Sequence, residues 1–186
     1  MKSRFLVSLG AFALAALACS IFVGGPEYPE APIVPSTQSL EDAQVQIDKA
    51  LTESAETGHF QLVITQSQLT AYLTAKLDEQ STPVITKPQV VLQDGVARIY
   101  GQAQSGLLVA TISATAKITV DENGQPQIEI TQTDFGPVPM PESLVSGLSA
   151  FLQEALTGQL GPAAIGFRLE SIDISDGVLT VTGRTK

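Results

Sequence analysis

Few side chains in this sequence have the type and spacing that catalysis requires. His59 is the only histidine among 186 residues, and no Gly-x-Ser-x-Gly elbow, phosphate-binding glycine loop or Cys/His metal spacing occurs. Asp121–Gly124 and Asp173–Gly177 look like calcium ligands, but they lack the full ligand series and contain the residues that tight turns need. We therefore predict no enzyme, no metal site and no cofactor. An enzyme acting on envelope glycans is the weakest alternative.

The single cysteine, Cys19, follows a segment with the pattern of a signal peptide. Lys2 and Arg4 precede an uncharged apolar run over 5–18, which is shorter than the ~20 residues that span a bilayer. Ala16-Leu17-Ala18-Cys19 resembles the lipobox of bacterial lipoproteins. That resemblance implies a lipoprotein signal peptide over 1–18 and attachment of lipid, such as palmitate, at Cys19. The alternative is an ordinary signal peptide beside an incidental thiol.

The net charge limits the partners. Without residues 1–18, 8 Lys and Arg remain against 19 Asp and Glu, a net charge of −11. Such a chain does not neutralise phosphates, which argues against nucleic-acid binding, and anionic headgroups repel it. The lipid anchor therefore has to hold it at the membrane. We expect the extracytoplasmic face of a bacterial cell membrane, with inner and outer membrane both open.

A proline-rich stretch precedes the folded part. Pro26, Pro29, Pro32 and Pro35 recur every third residue, the period of polyproline II. This predicts a semi-rigid linker over 19–39, in which 16 residues would reach about 50 Å at ~3.1 Å per residue. The rest, 40–186, is long enough to bury an apolar core as a single domain.

Apolar periodicity in 40–186 predicts an α+β domain. Helices are expected over 40–56 with Ser39 as N-cap, from a Thr65/Gln68 capping box until Pro83 breaks the pattern, and over 142–157. Strands are expected over 59–64, 84–93, 96–104, 107–120, 127–135, 165–175 and 178–184.

Two predicted hairpins resemble each other. The stretches 90–101 and 172–183 lie 82 residues apart, and they share the apolar positions, an Asp-Gly turn and a final glycine. An amphipathic helix precedes each. A duplicated helix–hairpin unit would explain this, and so would chance, because Asp-Gly turns are common in hairpins.

The long strand 107–120 has one apolar face made largely of small side chains. Small residues let a packed helix or an acyl chain approach the backbone closely. Our candidate lipid groove combines this face with apolar residues of the third helix: Leu108, Ala110, Ile112, Ala114, Ala116, Ile118, Leu148, Phe151 and Leu152. The alternative is that the helices fill the face completely as an ordinary core.

The order of the motifs resembles that of known bacterial families. FQLVITQSQLTAYLTAKL (60–77), VVLQDGVARIYGQ (90–102), DFGPVPMPESLVSGLSAFLQEAL (134–156) and LESIDISDGVLTVTG (169–183) are similar to the YpmS-like and LmeA-like families of the TULIP-type lipid-binding superfamily. The resemblance implies a long, curved, mainly antiparallel sheet wrapped on amphipathic helices, a TULIP-like half-barrel, with a groove for lipid. Members of these families are commonly held by a membrane helix, whereas here a lipidated cysteine would serve.

These observations lead to one principal hypothesis and one rival. We predict a membrane-anchored extracytoplasmic lipoprotein that binds or relays a lipid or acyl chain in an apolar groove. The rival is a structural or assembly lipoprotein that binds another cell-envelope protein.

Overall fold

Alternating apolar residues and tight turns produce eight strands in the part of the chain that the computed structural model describes, residues 20–79, 85–137 and 167–185. Two helices lie among them. The elements are β1 (Ile21–Phe22), α1 (Thr37–Thr57), β2 (His59–Thr65), α2 (Gln66–Asp78), β3 (Ile85–Gln93), β4 (Val96–Ser105), β5 (Leu108–Val120), β6 (Pro126–Asp134), β7 (Phe167–Ser175) and β8 (Val178–Thr185).

The strands form two sheets that meet at their hairpin turns. The larger sheet has the order β1-β5-β4-β3 with β6 also on β5, and the smaller has the order β2-β8-β7. All pairings are antiparallel except the short parallel pair of β1 with β5. The predicted fold class, α+β with a curled, mainly antiparallel half-barrel sheet, is confirmed.

Local capping chemistry sets the helix ends. The predicted capping box at the start of α2 is confirmed, because Thr65 and Gln68 each bond the backbone N–H of the other. Helix α1 ends at Gly58, whose left-handed φ of 75° suits glycine. The expected N-cap Ser39 is wrong: Ser36 caps α1, and its side chain accepts from the Ser39 N–H, so the helix begins earlier than predicted.

One apolar core joins both sheets and both helices. Its buried members include Phe60 and Leu62 from β2, Leu73 from α2, Leu92 from β3 and Val181 from β8. Their burial is the main stabilising term, at about 25 cal/mol per Å² of apolar surface removed from water.

Several predictions fall outside the described residues. They are the signal peptide with Cys19, the helix break at Pro83 and the third helix over 142–157. Neither described helix has both the length and the hydropathy that crossing a membrane would require. The division into signal peptide, linker and domain stays a prediction.

The proline-rich segment contacts the folded part. Residues 20–35 are named here the N-terminal segment. It begins as β1 beside β5, and the Thr111 N–H then donates to the Gly24 carbonyl at 2.9 Å. Gly25 packs so closely on Thr111 that a Cβ there would lie 2.0 Å from the Thr111 carbonyl oxygen. Thr111, on the polar face of β5, is consequently buried.

Candidate functional site

The structure buries most of the small-residue face of β5. Ala114, Ala116 and Ile118 belong to the main core, and Ala110 has no exposed surface. Leu108 differs, because it is 40% exposed at the end of the strand. The remaining predicted groove residues, Leu148, Phe151 and Leu152, lie outside the described residues, as does Cys19.

Ile112 belongs to a small separate cluster rather than to the main core. It packs with Ala103, and the half-buried Ile85 and Phe135 lie against them. Gly101 makes room for this arrangement, because a Cβ at that position would come within 2.5 Å of the Ile85 side chain. Ile85 also packs against the main core, so it connects the two groups.

From Ile85 an apolar cleft of about 440 Å³ opens between three elements. One wall is the N-terminal segment, the second is the end of α2 and the third is the first half of β3. The lining residues are Tyr28, Pro32, Ile33, Val34, Pro35, Thr74, Leu77, Asp78, Ile85, Thr86, Lys87, Pro88 and Gln89. This volume and apolar lining are typical of small-molecule pockets, which span about 300–1,000 Å³.

Gln89 fixes the outer wall of the cleft. Its buried amide accepts from the Ile33 N–H at 2.6 Å and donates to the Ile33 carbonyl at 2.8 Å. The side chain thus replaces a strand partner for Ile33. Since both groups of Ile33 are satisfied by one residue, the segment is held at a defined distance from β3.

Tyr28 provides the second attachment of the N-terminal segment. Its hydroxyl donates to the Lys87 carbonyl, and its ring meets the edge of Tyr100 at a centroid distance of 6.2 Å. Burial raises the pKa of the Tyr28 phenol, against a smaller opposing effect of Gln89, so the hydroxyl stays a hydrogen-bond donor at neutral pH.

Asp78 and Lys87 are the charged residues among those that line the cleft. Lys87 is exposed and has a φ of 49°, which is uncommon for a residue other than glycine. It lies in a bulge of β3, where Lys87 and Pro88 together face Gly101. The bulge therefore places a cation beside the cleft, which Asp78 also lines with a carboxylate.

A second depression, of about 350 Å³, has a different character. It is lined by Val120, Asp121, Gly124, Arg168, Leu169, Glu170 and Arg184. The Arg184 Nε lies 2.8 Å from Glu170 Oε1, and Arg168 donates to the Glu122 carbonyl. The backbone N–H of Gln125, together with Asn123 and Arg168, lowers the pKa of Asp121, whose carboxylate accepts from the Asn123 and Gln125 N–H groups in the turn.

The candidates for catalysis or metal binding remain apart. His59 is exposed at the start of β2. Across residues 20–79, 85–137 and 167–185, no three His, Cys, Asp or Glu side chains come together as a possible metal site.

Sequence reasoning missed the cleft because it treated residues 19–39 as a linker. The available signals were the aromatic ring of Tyr28 and the apolar side chain of Ile33, which a solvated spacer does not need.

Comparison with known proteins identifies a family. No curated protein and no solved structure matches the chain. The model of the LmeA-like phospholipid-binding family matches residues 21–184, which include the N-terminal segment, both helices and both sheets. The chain therefore belongs to the LmeA-like phospholipid-binding family.

Proposed function

We propose that the protein binds a phospholipid by taking an acyl chain into the apolar cleft between the N-terminal segment, α2 and β3. The single observation that carries this proposal is the cleft itself, an apolar opening of about 440 Å³ in a member of a phospholipid-binding family. The groove predicted on β5 meets the cleft at Ile85, which packs on Ile112.

The energetics favour such a ligand. Each methylene that leaves water contributes about 0.8 kcal/mol, so ten buried methylenes would contribute about 8 kcal/mol before the cost of ordering the chain. The polar groups of the outer wall already bond one another through Gln89 and Ile33. An acyl chain in the cleft would therefore leave no buried polar group of Ile33 unpaired.

Lys87 would face the headgroup. Lys87 is an exposed residue of the cleft lining, so its ammonium could reach the phosphate of a bound phospholipid. An exposed pair of this kind contributes little energy, on the order of 0.2–1 kcal/mol, and serves to orient the lipid.

Anchoring completes the proposal. A lipidated Cys19 would keep the domain at the outer side of a bacterial membrane, so that lipid could be taken from the bilayer and relayed. The predicted signal segment and the net charge of −11 without it support this arrangement, because an acidic domain needs an anchor to remain near headgroups.

Native mass spectrometry of the chain from residue 20 onward, purified without detergent, tests lipid binding. We expect adducts of phospholipid mass. The matched variants are Thr74→Trp, whose indole would occupy the cleft, and Ser67→Trp, at a half-buried position of α2 that does not line it. Thr74→Trp should lose the adducts while Ser67→Trp keeps them.

An apo species that also ignores an added fluorescent phospholipid would contradict the proposal. That result would favour the rival, a structural or assembly lipoprotein that binds another envelope protein. Retention of adducts by a folded Thr74→Trp variant would place the lipid elsewhere.

A further inference from the structure

Exposed apolar side chains are concentrated at one end of the larger sheet. Seven large apolar residues of the described part are exposed, and four of them lie together: Ile21 (56%), Phe22 (61%), Leu107 (56%) and Leu108 (40%). These four residues are named here the apolar tip. The other three, Val34, Val45 and Val63, belong to different elements, and such single exposed residues need no explanation.

Backbone pairing holds the tip in place. Ile21 is paired with Leu108 and Phe22 with Val109 in the parallel register of β1 and β5. The Ile21 N–H donates to the Leu107 carbonyl at 2.7 Å, beside the turn at Gly106. Two distant parts of the chain are thus fixed so that their apolar side chains project from the same corner.

The tip is apolar on both faces of the sheet. Successive residues of a strand point to opposite faces, so Ile21 and Leu108 share one face while Phe22 and Val109 lie on the other. Leu107 extends beyond both in the turn. A protein partner that packs on a sheet covers one face, whereas immersion in lipid covers both faces and the end. The arrangement fits a bilayer.

The distribution of charged residues also fits contact between the tip and a bilayer. No charged residue occurs over 99–116 or over 20–26, although the whole chain has a net charge of −9. On the two strands beside β5, the nearest charges are Arg98 on β4, about 23 Å from the tip, and Asp134 on β6, whose partner Ser113 lies about 17 Å from Leu108 at ~3.3 Å per residue. The tip itself can therefore approach headgroups without a carboxylate beside it on β5.

We propose that the apolar tip inserts into the interfacial region of the bilayer and sets the orientation of the domain. The apolar run 5–18 and Cys19 immediately precede Ser20, so the predicted anchor joins the fold beside the tip. The proposal rests on the membrane anchoring in the proposed function and is independent of whether the cleft holds lipid.

Insertion would also bring the cleft to the membrane surface. Ile85, at the inner end of the cleft, pairs with Ala103, two residues from the end of β4 at Ser105. An acyl chain leaving the bilayer beside the tip would then start close to Ile85.

The chain contains no tryptophan, so one introduced indole reports on one place. We would reconstitute the full chain in phosphatidylcholine vesicles and compare Leu107→Trp with Val45→Trp, whose site on α1 is 63% exposed and far from β1 in sequence. Brominated phosphatidylcholine should quench the indole of Leu107→Trp at least about twofold more and shift its emission to the blue, as expected for an indole at the interface. Phe22→Trp should behave like Leu107→Trp.

If all three variants float with the vesicles but show equal, weak quenching, the proposed insertion of the apolar tip is wrong, while the proposed membrane anchoring stands. Chains that do not float with the vesicles would overturn both. Lipid binding in the cleft is measured separately by native mass spectrometry. A cleft that binds no lipid is therefore distinguishable from a tip that does not insert and from a chain that is not anchored. Circular dichroism of each variant shows that its fold is retained.

Discussion

The hairpins β3–β4 and β7–β8 have the same backbone design at positions 82 residues apart. Each turns through an Asp-Gly pair with positive φ, Asp94-Gly95 and Asp176-Gly177. Each has a bulge at the same place, where Lys87 and Pro88 face Gly101 in one hairpin and Leu169 and Glu170 face Gly183 in the other. A shared turn could arise from turn chemistry alone, but a shared bulge and facing glycine favour duplication over chance.

The two turns also bond each other reciprocally. The Gly95 N–H donates to the Ile174 carbonyl at 3.0 Å, and the Gly177 N–H donates to the Leu92 carbonyl at 2.9 Å. Leu92 and Ile174 are equivalent positions of the two hairpins. The contact is therefore close to twofold symmetric, and it is where the two sheets join.

The bulges differ in what surrounds them. At β3, Lys87 is exposed beside the apolar cleft, and the N-terminal segment forms the outer wall. At β7, Leu169 is buried with its N–H on the Gly124 carbonyl, and Glu170 is paired with Arg184. The same backbone bulge thus borders an apolar cleft in one hairpin and a polar depression with an ion pair in the other. The N-terminal segment, which has no counterpart at β7 among the described residues, makes the difference.

The largest expected difference between the hairpins concerns their facing glycines. A Cβ on Gly183 would lie 2.6 Å from the Arg168 carbonyl oxygen, which is backbone and cannot move alone. A Cβ on Gly101 would lie 2.5 Å from Ile85 Cγ2, a side-chain atom that a χ1 rotation can move, and its next neighbour, the Thr86 carbonyl oxygen, lies at an ordinary 3.5 Å. We expect Gly183→Ala to lower the free energy of unfolding by about 3 kcal/mol and Gly101→Ala by about 1 kcal/mol.

Urea unfolding followed by circular dichroism measures both glycine variants. Gly101→Ala should also reduce lipid adducts, because a displaced Ile85 narrows the cleft. Equal loss of stability in the two variants would show that the space around Ile85 is as rigid as the β7 backbone, contrary to an open cleft.

Gln89 in the first hairpin and Ser171 in the second occupy equivalent positions, 82 residues apart. Gln89→Leu would leave the Ile33 N–H and carbonyl without their partner, which we expect to cost about 2 kcal/mol or to release the segment. Ser171 bonds Thr182 at an exposed site, so Ser171→Ala should cost less than about 0.5 kcal/mol.

Hydrogen exchange of the N-terminal segment shows whether Gln89→Leu releases the segment from β3. Faster exchange at Ile33 in Gln89→Leu, with unchanged exchange in β7 and β8, is the expected result. Unchanged protection at Ile33 would contradict the role of Gln89 and leave β1 and Tyr28 as the attachments of the segment.

The third comparison tests the symmetry of the turns. Alanine at a φ near 80° costs about 1–2 kcal/mol, so Gly95→Ala and Gly177→Ala should be destabilised to a similar extent. Gly177→Ala should be slightly worse, because its Cβ would lie 3.3 Å from the Gln66 side chain while Gly95 faces open space. Thermal unfolding measures the loss of stability in the two variants. A difference between them larger than about 1 kcal/mol would contradict a symmetric contact between the two turns.

These comparisons show which features the sequence could predict. The Asp-Gly turns, the Thr65/Gln68 capping box and the stop at Gly58 depend on residues within four positions of one another, so their chemistry is visible in the sequence. The bond between Ile33 and Gln89 joins residues 56 apart, and nothing local in a proline-rich stretch reveals such a partner. Both bulges were missed for the same reason, since the strand pattern continues through them.

The candidate groove on β5 likewise has features that the sequence predicts and features that it does not. The alternation along β5 correctly predicts a buried apolar face with Ala110, Ala114 and Ala116, but Thr111 and Thr115 of the polar face are buried as well. Whether a buried face is core or ligand site depends on what covers it, which alternation does not encode. Leu108 shows this most clearly: it continues the apolar face, yet it is 40% exposed at the end of β5, beside β1.

The smallest expected effect distinguishes the headgroup from the acyl chain. Lys87→Gln removes the cation at the edge of the cleft, and exposed charge pairs contribute on the order of 0.2–1 kcal/mol, so affinity for a fluorescent phospholipid should fall about threefold. Affinity for a diacylglycerol with the same chains should not change, because that ligand has no phosphate. Lys117→Gln, on β5 away from the cleft, and Arg184→Gln, at the other bulge, are the matched controls. A loss of affinity with Arg184→Gln but not with Lys87→Gln would move the headgroup to the polar depression and reverse the roles of the two hairpins.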